Sequence, residues 1–219
     1  MNAFWRVLFL LNTLPFAVNV VAQEVAIPDG YLRAAIEVRL GKPPPWNEQD
    51  FKNLTIVATS LPVSSLEGLG SAHNLLNLIL DGTALTNAIV PAGLASLQYL
   101  ELNSSQKMTN LSLPYDLTNL TTLKITGSKL ANLDLPSGLT NLKTIFVNQN
   151  NVSRLSLSSD MTSLTNCDFS GNLLTSINLP SGLTNLATAY LNQNQLTELK
   201  LPQGLINLSL LNFVRRPAN

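Results

Sequence analysis

The chain holds one cysteine, Cys167, and one histidine, His73, in 219 residues. A single cysteine excludes an internal disulfide, so packing alone must close the fold. One histidine and one cysteine do not build a typical zinc site. A Ser-His-Asp arrangement would have to use His73, which sits in "GSAHNLL" with no partner indicated. A surface or turn role is expected for it. Charge is scarce as well: Lys plus Arg and Asp plus Glu number 13 each, and charged residues make up 12%. There is no basic stripe, which argues against nucleic acid as a partner. The polar surface must come from Asn, Ser and Thr, a composition that suits a secreted binding protein. "LGKPPPW" lacks the glycines of a phosphate loop. No catalytic residue, cofactor or metal is expected, and therefore no enzyme.

The first residues read "MNAFWRVLFLLNTLPFAVNVVAQE". Arg6 supplies a positive start and residues 7–21 an apolar stretch, with Val20 and Ala22 at the positions a signal peptidase requires. Residues 1–22 are expected to be a signal peptide cleaved after Ala22. Asn12, Pro15 and Asn19 interrupt the stretch, which is too short to span a membrane comfortably. No cysteine lies near the cleavage point, so lipid attachment there is excluded. The expected location is the cell envelope (periplasm or cell surface) or the extracellular space.

The rest is repetitive. "LPSGLTNLKTIFVNQN" at 135–150 returns as "LPSGLTNLATAYLNQN" at 179–194. The letters that change are Lys143 to Ala187, Ile145 to Ala189, Phe146 to Tyr190 and Val147 to Leu191. The spacing of 44 is two periods of 22. Related copies start at 90, 113, 135, 157, 179 and 201, so one step is 23, and a bulged turn is expected in "NSSQKMTN". Seven segments follow L-x-x-[apolar]-x-[apolar], from "LLNLIL" at 75 to "LSLLNF" at 208. Alternation with period two predicts strands with one buried face. A strand in the same direction every 22 residues predicts a parallel sheet with rungs about 4.8 Å apart.

Asn150, Asn172 and Asn194 follow the strands at a constant offset, with Thr83 and Ser128 in the same place earlier. Buried asparagine amides there would pair with turn backbone and stack as a ladder. The second half of each repeat alternates again. Pro114, Pro136, Pro180 and Pro202 break any helix, so short strands or extended turns are expected on the convex side. The glycine of P-x-G suits a positive φ. Cys167 takes the inward place held elsewhere by Leu123 or Ile145 and is expected to be a core residue. Sequons at 53, 110, 119, 151 and 207 arise mostly because the repeat spells T-N-L-T.

The pattern L-x-x-L-x-L-x-x-N-x-L over residues 54–213 resembles the leucine-rich-repeat family. That resemblance implies a right-handed solenoid with a parallel concave sheet. In class terms it is α/β but β-dominated. Residues 23–53 read as a helical N-terminal cap. Asp29 caps a helix through "YLRAAIEVRL", with Leu32, Ala35, Ile36 and Leu40 on one face and Gly41 at its end. "KPPPW" reads as a stiff linker, and Asn47 caps a second short helix burying Phe51 and Leu54. "IPDGYLRAAIEVRLGK" and "LEGLGSAHNLLNLIL" resemble the caps of exported bacterial proteins of the internalin type. The lack of cysteine-bridged caps argues against an animal or plant extracellular protein. Residues 214–219 form a short tail.

Outward strand positions vary because packing does not fix them. Their central column is Ile79, Glu101, Lys124, Phe146, Asp168, Tyr190 and Asn212, flanked by Tyr99, Asn148 and Asn192. Tyr99, Glu101, Lys124, Phe146, Asn148, Asp168, Tyr190 and Asn192 are the candidate ligand surface, for a protein or a cell-surface glycan. The expected function is a non-enzymatic binding module. The alternatives are a truncated fragment of a larger surface adhesin and the repeat region of an effector enzyme without its catalytic domain. The last strand "LSLLNF" has no amphipathic cover, which predicts weak self-association through an open edge.

Overall fold

The computed structural model describes residues 23–214. The expected signal peptide and the tail residues Arg215, Arg216 and Pro217 lie outside the described residues. The N-terminal region carries two helices, α1 (Gly30–Leu40) and α2 (Glu48–Phe51). The Asp29 carboxylate accepts from Tyr31 N and Leu32 N, and Gly41 closes α1 at φ 69°. Leu32 and Ile36 are fully buried on its inner face. Asn47 caps α2, and Asp50 reaches back to Asn47 N to complete a capping box.

Trp46 departs from the expected linker. The prolines before it are exposed, but Trp46 is buried, donates from Nε1 to Lys42 O at 3.1 Å, and meets Phe51 edge-on at 5.9 Å. Its large apolar area anchors the linker to the cap. Asp29 does more than cap. It also accepts from Ser64 N at 2.8 Å and Ser64 Oγ at 2.7 Å, joining the helix to the start of the solenoid. Burial raises its pKa, but the four hydrogen bonds outweigh that and hold the carboxyl below its usual range.

The concave face is one eight-stranded parallel sheet. Its strands are β1 (Ile56–Thr59), β2 (Asn77–Asp81), β4 (Tyr99–Asn103) and β6 (Thr122–Lys124), then β8 (Thr144–Phe146), β10 (Asn166–Asp168), β11 (Thr188–Tyr190) and β12 (Leu210–Asn212). They form rungs one to eight in chain order. The seven expected strands are all there, and β1 precedes them as a rung the motif count omits. Convex strands are short, as expected: β3 (Asn87–Ile89) pairs with β5 (Asn110–Ser112), and β7 (Asn132–Asp134) with β9 (Arg154–Ser156). One bridge, Asn178 to Lys200, continues the pattern.

Two inward columns fill the core. Leu123, Ile145, Cys167 and Ala189 form one, and Ile125, Val147, Phe169 and Leu191 the other, all within 1% of full burial. Each fully buried Leu or Ile stabilises by roughly 1.5–3 kcal/mol. Sequence drift is not confined to the outer face, contrary to expectation. Ile145/Ala189 and Val147/Leu191 are buried, so two of the four drifting positions face inward. Volume is traded between columns instead: where Cys167 is small, Phe169 is large, and where Ala189 is small, Leu191 replaces valine.

The turn into each strand holds another correction. Gly93, Gly138 and Gly204 of P-x-G have φ between 93° and 102°. Gly182 lies outside the positive region; a Cβ there would sit 1.8 Å from Ser159 O, so close backbone approach explains it.

Candidate functional site

The strand register brings the eight candidate residues to one face but splits them into two groups. Glu101 pairs across the sheet with Lys124, Lys124 with Phe146, Phe146 with Asp168, and Asp168 with Tyr190.

In rungs three and four the side chains bond to each other. Lys124 Nζ donates to Glu101 Oε1 at 2.9 Å, Asn103 Nδ2 donates to the same oxygen, and Tyr99 OH donates to Oε2. Asn103 Oδ1 in turn accepts from Thr126 N and Oγ1. Burial opposes ionisation of Glu101, but these donors and the Lys124 charge hold its pKa below the usual range. Burial, the bond to Glu101 and its negative charge push the Tyr99 phenol up to about 12. Tyr99, Glu101 and Lys124 thus have their polar groups engaged within the protein.

Rungs five to seven differ. Phe146 and Asp168 are half-buried and Tyr190 is 37% exposed. With rungs about 4.8 Å apart, the two ring-bearing strands stand roughly 10 Å apart across Asp168. Asp168 Oδ1 accepts from Ser170 N at 2.9 Å and Ser170 Oγ at 2.6 Å. Among the described residues no cation pairs with Asp168. Asn148 and Asn192 stand half-buried two positions beyond the rings, with Ser170 between them.

The corners after rungs two to seven show the same alternation. Gly82, Ser104, Gly127, Gln149, Gly171 and Gln193 occupy one column, and all have φ between 54° and 65°. Gln149 Nε2 donates to Gln193 Oε1 at 3.3 Å, reaching past Gly171, where a Cβ would lie 2.4 Å from that nitrogen. The sixth rung therefore carries short residues at three successive outward positions, Asp168, Ser170 and Gly171. The fifth and seventh carry Phe146, Asn148, Gln149 and Tyr190, Asn192, Gln193. By side-chain size the sixth rung is a shallow trough with nearly identical walls, crossed at its corner by the Gln149–Gln193 bond. The near-identity of residues 135–150 and 179–194, spaced 44 apart, was its signal.

The expected asparagine ladder supports this face from behind. Asn172 Oδ1 accepts from Val152 N at 2.9 Å, and Nδ2 donates to Val147 O, Phe169 O and Ser170 O. Asn150 and Asn194 repeat the arrangement. Earlier rungs use hydroxyls. Ser105, which sequence reasoning missed, donates from Oγ to Thr83 O and Leu85 O, and its backbone N–H donates to Ser128 Oγ. Thr83 Oγ1 is buried without a partner. A second ladder explains the repeated T-N-L. Asn119, Asn141, Asn185 and Asn207 each donate from Nδ2 to a carbonyl of the preceding repeat at 2.8–2.9 Å. The extra residue of the 23-residue step lies at Gln106–Lys107, in a turn within the expected segment.

Cys167 is 1% exposed, and burial, with the Asp168 charge adding to it, pushes its thiol up to about 12. His73 is exposed and bonds through Nδ1 to Gly93 O at 2.8 Å, a turn role. Among the described residues no group of three or more His, Cys, Asp or Glu converges on a metal position, and no helix is long and apolar enough to cross a membrane.

The model of the BspA type leucine-rich-repeat region matches residues 75–197 in six copies. InlP of Listeria monocytogenes is similar in structure, with a TM-score of 0.67 and 22% identity over 86% of this chain and 58% of InlP. The chain thus spans little more than half of InlP's length. Internalin C2 of Listeria monocytogenes str. 4b F2365 aligns over 90% of this chain and 99% of its own, with 22% identity and a TM-score of 0.49. Among curated proteins none matches the chain in sequence. The repeat match covers more than half of the chain, and the parallel-strand solenoid agrees with it: the chain belongs to the BspA-type leucine-rich-repeat family.

Proposed function

We propose that the chain is a non-enzymatic binding module, exported to the cell envelope or beyond, whose concave face holds a partner protein at rungs five to seven. One observation carries this reading. Phe146 and Tyr190 flank Asp168, a carboxylate with no cation among the described residues, on outward positions that the core does not require. Paired aromatic anchors beside a charge are the composition of protein-recognition hot spots. Of the eight candidate residues, Phe146, Asn148, Asp168, Tyr190 and Asn192 are the contact set. Tyr99, Glu101 and Lys124 frame it, because their polar groups already bond to one another. Export is supported by the residues at the N-terminus and by the Asn-, Ser- and Thr-rich surface. A cell-surface glycan is the second ligand class that exposed rings and amides would suit.

The test is capture from surface extract with the wild type, with Phe146→Ala/Tyr190→Ala, and with Asn132→Arg on the convex side. The double variant should recover partners at least about tenfold less, as loss of two hot-spot rings implies, while Asn132→Arg matches wild type. Equal recovery by all three, with folding intact by circular dichroism, would move the site away from these rungs.

Weak self-association through the last rung is a separate proposal. Ile206 is 84% and Val214 67% exposed there, and Leu205, Leu208, Leu211 and Phe213 are only partly covered. Light scattering across a concentration series should show a rising mass; a constant monomer mass at high concentration would contradict it.

A further inference from the structure

We infer that the trough of the sixth rung receives a cationic side chain, an arginine or lysine of the partner, between the Phe146 and Tyr190 rings and against the Asp168 carboxylate. This rests on the protein-binding reading above and adds what the partner must present.

The comparison that points to a cation lies in the same column. Glu101 also stands on an outward strand position, and there the protein supplies its own cation, Lys124, on the next rung, with Tyr99 and Asn103 as further donors. Asp168 has two such neighbouring rungs, and both present an aromatic ring instead. Its bonds come only from Ser170, and both fall on Oδ1. Oδ2 therefore has no hydrogen-bond donor among the described side chains.

Ring faces attract cations when the charge lies within about 6 Å of the ring centroid. Strands two rungs apart place the side-chain positions roughly 10 Å apart, so a charge midway is about 5 Å from each. A guanidinium is planar and stacks on rings while its N–H groups bond a carboxylate, which suits the site better than a compact ammonium. Rung six has only the small side chain of Ser170 beside Asp168 and no side chain at Gly171. A neutral sugar would satisfy the rings and amides but would leave the carboxylate charge without a counter-charge.

The experiment follows the ring-proton resonances of Phe146 and Tyr190 in the full chain by NMR. The probes are acetyl-arginine methylamide, its neutral isostere acetyl-citrulline methylamide, and chitotetraose. The arginine probe should shift both rings saturably. The citrulline probe should bind at least about fivefold more weakly, given what an exposed cation–π contact and a charge pair contribute together. Asp168→Asn should weaken the arginine probe by a similar factor. That variant keeps the oxygen that accepts from Ser170, so its fold is expected to persist, and its thermal midpoint checks this. Equal binding of the arginine and citrulline probes, an unchanged response in Asp168→Asn, no response to the arginine probe, or ring shifts with chitotetraose alone would each overturn the inference. Lost capture with Phe146→Ala/Tyr190→Ala alongside any of these would leave the protein-binding reading standing.

Discussion

Rungs two to four and rungs five to seven use one scaffold with different side chains. The early half backs its strands with the hydroxyls of Ser105 and Ser128, Thr83 Oγ1 having no partner, while the late half uses the amides of Asn150, Asn172 and Asn194. On the outer face the early half neutralises Glu101 with Lys124, whereas the late half leaves Asp168 between two rings. An amide supplies an acceptor and two donor hydrogens, so each asparagine satisfies several turn groups; a hydroxyl satisfies fewer. The better-tied half is also the half whose outward carboxylate, Asp168, has no cation among the described residues. Rigid support behind a surface is what lets its outward residues be selected for contact rather than for folding.

Breaking the amide ladder should have the largest effect. Asn172→Ala removes the acceptor for Val152 N and the donor to three carbonyls in a buried site, and should cost about 3 kcal/mol or more. Its denaturation midpoint should fall well below that of any hydroxyl variant. The cap comes next. Asp29→Ala loses two helix-cap bonds and two bonds from Ser64, a cost of about 2–3 kcal/mol. The folded-state pKa of Asp29 is lowered, so its contribution is full above the unfolded value of 3.8 and is lost as pH falls through the folded value. The gap between wild type and Asp29→Ala should therefore shrink in acid; a constant gap would contradict the bonding.

Ser128→Ala should cost about 1 kcal/mol, because its hydroxyl accepts only from Ser105 N. Thr83→Val should be the mildest change. Its hydroxyl is buried without a partner, so the variant is expected within about 0.5 kcal/mol of wild type or slightly above it. A loss comparable to Asn172→Ala would erase the contrast between the halves.

Much of this contrast follows from periodicity. The L-x-x-L-x-L spacing places the strands, their register and the inward columns, because a side-chain period of two leaves little freedom once the Leu column is buried. It misses β1, where "LTIVAT" ends on Thr59 and so lacks the last apolar letter. It misses Trp46, because a run of prolines says how the chain extends and not where the next ring packs. The Glu101–Lys124 pair was legible in principle: opposite charges one repeat apart in one column must be neighbours. That neither flanking rung carries a cation in the Asp168 column, where Phe146 and Tyr190 stand, is legible the same way. Which hydroxyls and amides find partners was not, since that depends on turn geometry that the spacing leaves open. The Gln149–Gln193 contact over Gly171 is of this kind.

A smaller effect probes the early network alone. Tyr99 should titrate about two pH units later than an ordinary tyrosine, at about 12 rather than 10.0, in an ultraviolet titration of tyrosinate. Because the folded-state value is raised, the stabilisation is full below 10.0 and is lost as pH rises toward about 12. Glu101→Gln removes the negative charge and should bring the phenol down toward its usual range. An unmoved titration would break the link between Tyr99 and Glu101.

The most direct test sets the two carboxylates against each other. Glu101→Gln and Asp168→Asn are matched charge removals in one column, each measured for chemical stability and for binding of acetyl-arginine methylamide. Glu101→Gln should lose about 1 kcal/mol of stability, the size of a partly exposed ion pair, with binding unchanged. Asp168→Asn should keep its stability within about 0.5 kcal/mol and bind the probe at least about fivefold more weakly. The opposite pattern, or two variants that behave alike in both measurements, would contradict the division of the concave face into a self-bonded half and a contact half.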